Sequence, residues 1–95
     1  FLYMYDFEWD PDKSAENKRK HGVSFSKSLE IWQGVHLTVH GIARSQDGEE
    51  RSATIGLIGR HHYTAIWTWR GTKIRLISVR RSRNGEKEVF DKKIL

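Results

Sequence analysis

The sequence predicts an α+β fold: a small antiparallel sheet with two N-terminal helices and one C-terminal helix, in a single domain over residues 1–95. Three observations carry this. The second half holds apolar segments of strand length separated by short Gly-containing links. The first third carries helix start and stop signals. The last ten residues return to a helical spacing of apolar side chains.

In order, FEWD (residues 7–10) sets Phe7 and Trp9 against Glu8 and Asp10, the alternation of a short strand. Asp10 followed by Pro11 starts a helix, since a carboxylate accepts the free N–H groups of the first turn and proline suits the first helical position. Gly22 ends it, so the first helix covers Pro11 to His21, with Ala15 its one small apolar residue and a surface position implied. Ser24 is the N-cap of a second helix in which Phe25, Leu29 and Trp32 form one stripe before Gly34. VHLTVH (35–40) alternates Val35, Leu37 and Val39 with polar residues, as a strand buried on one face does. SQDGEE (45–50) is a turn or loop. Three strands follow at 52–58, 62–69 and 73–80, and their short links make neighbours antiparallel. Val89, Phe90 and Ile94 then share one face of a final helix, and the helices are expected on one face of the sheet.

Seventeen Lys and Arg against 12 Asp and Glu leave a net charge of +5, a positive field that draws anions. Nucleic acid is the first partner class to consider and anionic lipid the second. The absence of cysteine excludes a disulfide framework and a thiolate zinc site. No apolar run approaches the ~20 residues that span a bilayer, so no membrane partner is expected and the protein reads as cytoplasmic. Phe1, Leu2 and Tyr3, ahead of Met4, read as an upstream extension or expression remnant.

The stretch at 73–83, KIRLISVRRSR, concentrates the charge: Lys73, Arg75, Arg80, Arg81 and Arg83 among Ile74, Leu76, Ile77 and Val79. Strict alternation puts Ser78 and Arg80 on the face of Ile74 and Leu76, and Arg75 and Arg81 on that of Ile77 and Val79. One reading is structural, with Glu49, Glu50, Glu86 and Glu88 as counter-ions in a salt-bridge cluster. The other is functional: with Arg51 and Arg60, the strands gather guanidiniums whose planar forks fit phosphate.

His36 and His40 share a side of their strand without a carboxylate or cysteine at ligand spacing, and His61 and His62 diverge, so no metal site and no cofactor is expected. His21 or His61 remains available for proton transfer, a role imidazole fills near neutral pH. Trp32, Trp67 and Trp69 read as core or interface residues, with base stacking the sharper alternative. No P-loop, dinucleotide fingerprint, serine nucleophile elbow or metalloprotease helix is present.

FEWDPDKSAENKRKHGVSF at the start, ERSATIG in the middle and IRLISVRRS near the end resemble the BrnT family of bacterial type II toxins, from Asp6 to about Phe90. The first block is the most specific, with Trp9-Asp10-Pro11, a lysine-rich helix and Lys20-His21-Gly22 leading into Ser24-Phe25. The resemblance implies a RelE-like ribonuclease fold and a toxin that cleaves RNA. It also implies a cognate ribbon-helix-helix antitoxin, through which alone the toxin meets operator DNA. It carries Arg51, Ser78, Arg80 and Arg81 over as active-site positions, and Lys20 and His21 match as a motif. Arg51, Arg80, Arg81 and His21 are thus the candidate catalytic residues, and Arg60, Lys73, Arg75, Arg83 and Lys20 the candidate RNA-binding ones. Asn84-Gly85 departs from the family pattern, and because Asn-Gly favours a turn the last helix is expected to begin at about Gly85 or Glu86.

The implied chemistry is metal-independent attack of the RNA 2′-hydroxyl on the adjacent phosphate, leaving a 2′,3′-cyclic end. Arginine supplies cations but no base, because its pKa exceeds ~12. The base stays open among His21, His61, Lys20 and Glu50. The rival reading is a non-catalytic basic module for nucleic acid or for a protein partner, or a degenerate toxin that keeps the fold and loses the activity. A neutralised toxin also needs an exposed apolar surface, for which Trp32, Trp67 and the last helix are candidates.

Overall fold

A computed structural model describes residues 5–94; Phe1, Leu2 and Tyr3, read above as an extension, lie outside the described residues. The elements are β1 (Asp6–Glu8), α1 (Pro11–His21), α2 (Phe25–Ser28), α3 (Glu30–Gln33), β2 (His36–Arg44), β3 (Glu50–Ile58), β4 (His61–Arg70), β5 (Lys73–Arg81) and α4 (Asn84–Ile94). The strands form one sheet in the order β1-β5-β4-β3-β2.

The sheet is mixed, which corrects the antiparallel expectation. Strands β2 to β5 pair antiparallel in sequence, but β1 runs parallel to β5, with Phe7 opposite Ile74. Short links dictate direction only between consecutive strands. Three helices and three strands separate β1 from β5, so nothing local made that pair antiparallel.

The first helix forms as expected: the Asp10 carboxylate accepts the Asp12 N–H at 2.9 Å, and Gly22 closes the helix in the left-handed region at φ 78°. The second N-terminal helix does not form as one piece. Ser24 does cap it, accepting the Lys27 N–H, but the helix breaks at Leu29 into the four-residue α2 and α3. Inside α2 the Ser28 hydroxyl donates to the Phe25 carbonyl, and the Leu29 N–H reaches back three residues to Ser26 rather than four. The break turns Ile31 inward, so the buried set is Phe25, Ile31 and Trp32, with Leu29 partly covered.

Helices cover both faces of the sheet, not one. On the first face Val23, Phe25, Ile31 and Trp32 pack on Ala65, Trp67, Ile74, Leu76 and Val79, the main core. Ile31 rides so close over β3 that a Cβ on Gly56 would lie 2.8 Å from its Cγ2, so only glycine fits. The indole of Trp67 donates to Thr54 Oγ1 at 2.8 Å, which satisfies its buried polar atom. On the second face α4 buries Phe90, whose ring meets His62 edge-on.

Two irregularities set the faces. Opposite Ser52, β2 spends three residues, His40, Gly41 and Ile42, with Gly41 at φ 69°. In β5 the register slips between Ile66 and Trp67, leaving Ile77 as the extra residue of a bulge. One extra residue reverses the alternation beyond it. Val79 and Arg81 therefore join the face of Ile74 and Leu76, while Ser78 and Arg80 join that of Arg75. This corrects the facing expected from strict alternation. The apolar alternation of β2 is also reversed in meaning: Val35 and Val39 are exposed, and Thr38 is the side chain that faces inward, bonded to Thr54.

Candidate functional site

Beyond Arg75 the outer edge of β5 has no strand beside it among the described residues, because β1 stops at Glu8. Asn17 of α1 takes the place of one. Its amide nitrogen donates to the Val79 carbonyl at 2.8 Å, and its amide oxygen accepts the Val79 N–H at 3.1 Å. The same nitrogen donates to Val23 O at 2.8 Å, and Asn17 is 6% exposed. This residue was missed in the sequence, because an asparagine in a polar helix carries no local sign of a partner 62 positions away.

The clamp brings the last turns of α1 against β5 and shapes a polar cleft of about 190 Å³ in which Lys13, Glu16, Lys20 and His21 face Ile77 and Ser78. Three of these are basic residue types, with one carboxylate among them. Glu16 pairs with Lys20 at 2.7 Å, and this hydrogen bond and charge lower the Glu16 pKa from its ordinary value. Lys20, His21 and Ser78, far apart in the chain, thus share one site.

Across the second face a row of paired positions runs Arg51, Thr68, Arg75, Glu8. Arg75 donates to Glu8 at 3.0 Å, and Thr68 donates to the Glu50 carbonyl. Arg51 differs. Its Nε is buried with no hydrogen-bond partner, and among the described residues its guanidinium has no ion pair. A buried N–H left unpaired costs about 1–3 kcal/mol, which a bound acceptor relieves. Ser78 lies on the same face, two strands across and two positions along from Arg51, or about 12 Å at ordinary sheet spacings.

Arg80 shares that face but is engaged. Its two terminal nitrogens each donate to Glu86 at 2.8 Å. Glu86 also accepts from Thr64 Oγ1 at 3.0 Å and from the Arg83 N–H at 2.8 Å. These donors, Arg80 foremost, hold its carboxyl down at a pKa of about 2. The structural reading of Arg80 accordingly has a concrete partner, and Glu49 and Glu50 serve Arg70 and Arg44 in the same way. The last helix begins at Asn84, one or two residues before the expected start at Gly85 or Glu86, and Glu86 accepts the Arg83 N–H in its first turn.

The remaining expected residues stay apart. Arg81 points to the first face with its guanidinium 5.7 Å from the centre of the Tyr63 ring. Arg60 sits exposed in the β3–β4 turn, Lys73 is exposed at the start of β5, and the Arg83 side chain is exposed before α4. His62 bonds Asp91 at 3.0 Å, and His40 bonds Ser52 at 3.0 Å. Among the described residues no three His, Asp or Glu side chains gather as metal ligands, and no helix is long and apolar enough to cross a membrane.

The chain is a five-stranded α+β fold with a cleft lined by basic residues at one sheet edge and, among the described residues, an Arg51 guanidinium without an ion pair on the second face. Residues 9–86 match the family model described as the ribonuclease toxin BrnT of type II toxin–antitoxin systems. The chain belongs to that family, whose members are toxins with ribonuclease activity, with RNA as substrate and an antitoxin as partner. A search of curated proteins finds no match.

Proposed function

We propose that this chain is a RelE-like endoribonuclease that cleaves RNA by attack of its own 2′-hydroxyl on the neighbouring phosphate, without a metal ion. The observation that carries the proposal is the cleft that Lys13, Lys20 and His21 line together with Ser78, a residue on the same sheet face as Arg51. In this reading His21 takes the 2′-hydroxyl proton as the oxygen–phosphorus bond forms. The bond to the 5′-oxygen breaks, a lysine ammonium of the cleft returns a proton to it, and the product ends are a 2′,3′-cyclic phosphate and a 5′-hydroxyl. Lys13 and Lys20 offset the charge of the transition state, and Arg51 holds a phosphate further along the strand. Arg80 acts as a positioning residue through Glu86, and Arg75 does so through Glu8. Arg60, Lys73, Arg81 and Arg83 add to the field that draws RNA in.

The antitoxin is proposed, on the family resemblance, to be a ribbon-helix-helix protein that binds operator DNA, and the toxin to act in the cytoplasm. The test is incubation of purified protein with end-labelled RNA in EDTA, with His21→Ala and Arg51→Ala alongside. We expect cyclic phosphate ends from the wild type and a loss of about 100-fold or more for His21→Ala. Equal cleavage by wild type and His21→Ala would remove His21 from the mechanism. RNA binding without cleavage would favour the binding-module reading.

A further inference from the structure

The second face of the sheet is only part covered. Between the outer strands of a five-stranded sheet lie roughly 19 Å, whereas one helix covers about 10 Å. Beside α4 an open trough of about 550 Å³ remains, with Ala53, Ile55 and Ile66 on its floor. Val39 and Ile42 of β2 and Val89 of α4 also line it, at 41%, 44% and 45% exposure. Arg80 and Arg83 stand at one end; Glu86, the acid beside them, is already engaged by Arg80. The Arg83 side chain has no acidic partner among the described residues. Trp32 and Trp67, the other candidates for a partner surface, are buried in the core.

The chemistry of this trough is wrong for RNA and right for a peptide. Its floor has no aromatic ring on which a base could stack and no polar side chain to read a base edge. Aliphatic walls beside a helix are what a second amphipathic helix covers. The free cation at one end selects a helix with acidic residues there. We infer that the antitoxin inserts an amphipathic helix into this trough, alongside α4, with aliphatic residues against Val39, Ile42 and Val89 and acidic residues against Arg83. The inference rests on the reading of the chain as a toxin with an antitoxin partner. It places that partner across the sheet face that carries Arg51 and Ser78.

The test compares wild type, Val89→Glu and Ile42→Glu, all at exposed positions, in calorimetric titration with the purified antitoxin encoded beside the toxin. RNA cleavage and thermal midpoint are read on the same samples. We expect each substitution to weaken antitoxin binding about tenfold or more, with cleavage and midpoint unchanged. Arg83→Glu weakens binding too and flattens its dependence on salt. Undiminished antitoxin binding by both trough variants overturns the inference. So does loss of RNA cleavage with antitoxin binding intact, which makes the trough an RNA surface, or loss of a wild-type dimer with antitoxin binding intact, which makes it a contact between copies. If the wild type binds antitoxin through the trough but cuts no RNA, the docking stands and the ribonuclease mechanism falls.

Discussion

Glu86 is the residue on which most of the second face converges. It ties together Arg80 at the end of β5, Thr64 in β4 and the first turn of α4 through the Arg83 N–H. Its carboxyl titrates at about 2 in the folded chain against an ordinary value of 4.5. A depressed pKa means that the stabilisation is complete above pH 4.5 and is lost as pH falls toward 2. Because the group keeps some solvent contact, the amount is about 1–2 kcal/mol rather than the full value of the shift. Urea midpoints at pH 7 and pH 2.5 should therefore fall further for wild type than for Glu86→Gln, whose stability is already lower at pH 7. Parallel pH profiles for the two proteins would show that the bond contributes nothing.

At the scale of elements, the junction of α1 and β5 builds the cleft, and one amide makes it. Asn17 satisfies both polar groups of Val79 where β1 has run out. Asn17→Ala strands that N–H and carbonyl in a buried place and should cost about 2–4 kcal/mol. The same variant loosens the cleft, so cleavage should fall even under conditions where the protein stays folded. Urea unfolding reads the first effect and labelled RNA the second; a stability change within about 0.5 kcal/mol would mean that α1 is held by other contacts. The Ile77 bulge belongs to the same junction, since it is what turns Ser78 toward the second face with Arg75 and Arg80.

For the whole molecule, the net charge of +5 is spread unevenly in its availability. Arg44, Arg70, Arg75 and Arg80 are paired with Glu50, Glu49, Glu8 and Glu86, so the field that attracts RNA comes from cations with no such partner among the described residues, including Arg51, Arg60, Lys73, Arg81 and Arg83. The logarithm of RNA affinity should fall linearly with the logarithm of salt concentration. Arg51→Ala should lower that slope by about 0.7, the value for one phosphate contact on a single strand. Arg70→Ala should leave it almost unchanged. Titrations of labelled RNA at several salt concentrations measure both, and an unchanged slope for Arg51→Ala would take Arg51 out of the RNA contact.

By itself the sequence determined the first helix, with Asp10, Pro11 and Gly22 as its ends, the strand segments at 52–58, 62–69 and 73–80, and the family. Each of these rests on neighbours a few positions apart, in caps, turns and alternation that act locally. Tertiary structure decided what was non-local. It set β1 parallel to β5, broke the second helix at Leu29 and moved α4 to the opposite face. It also reversed Ser78 and Arg80 through the Ile77 bulge, and it chose among the arginines. Whether a guanidinium is spent on a carboxylate or left free depends on which acid lies across the sheet, and Glu8 reaches Arg75 over a separation of 67 positions. Charge is written residue by residue, but its pairing is a property of distance in space, and only the folded sheet sets those distances.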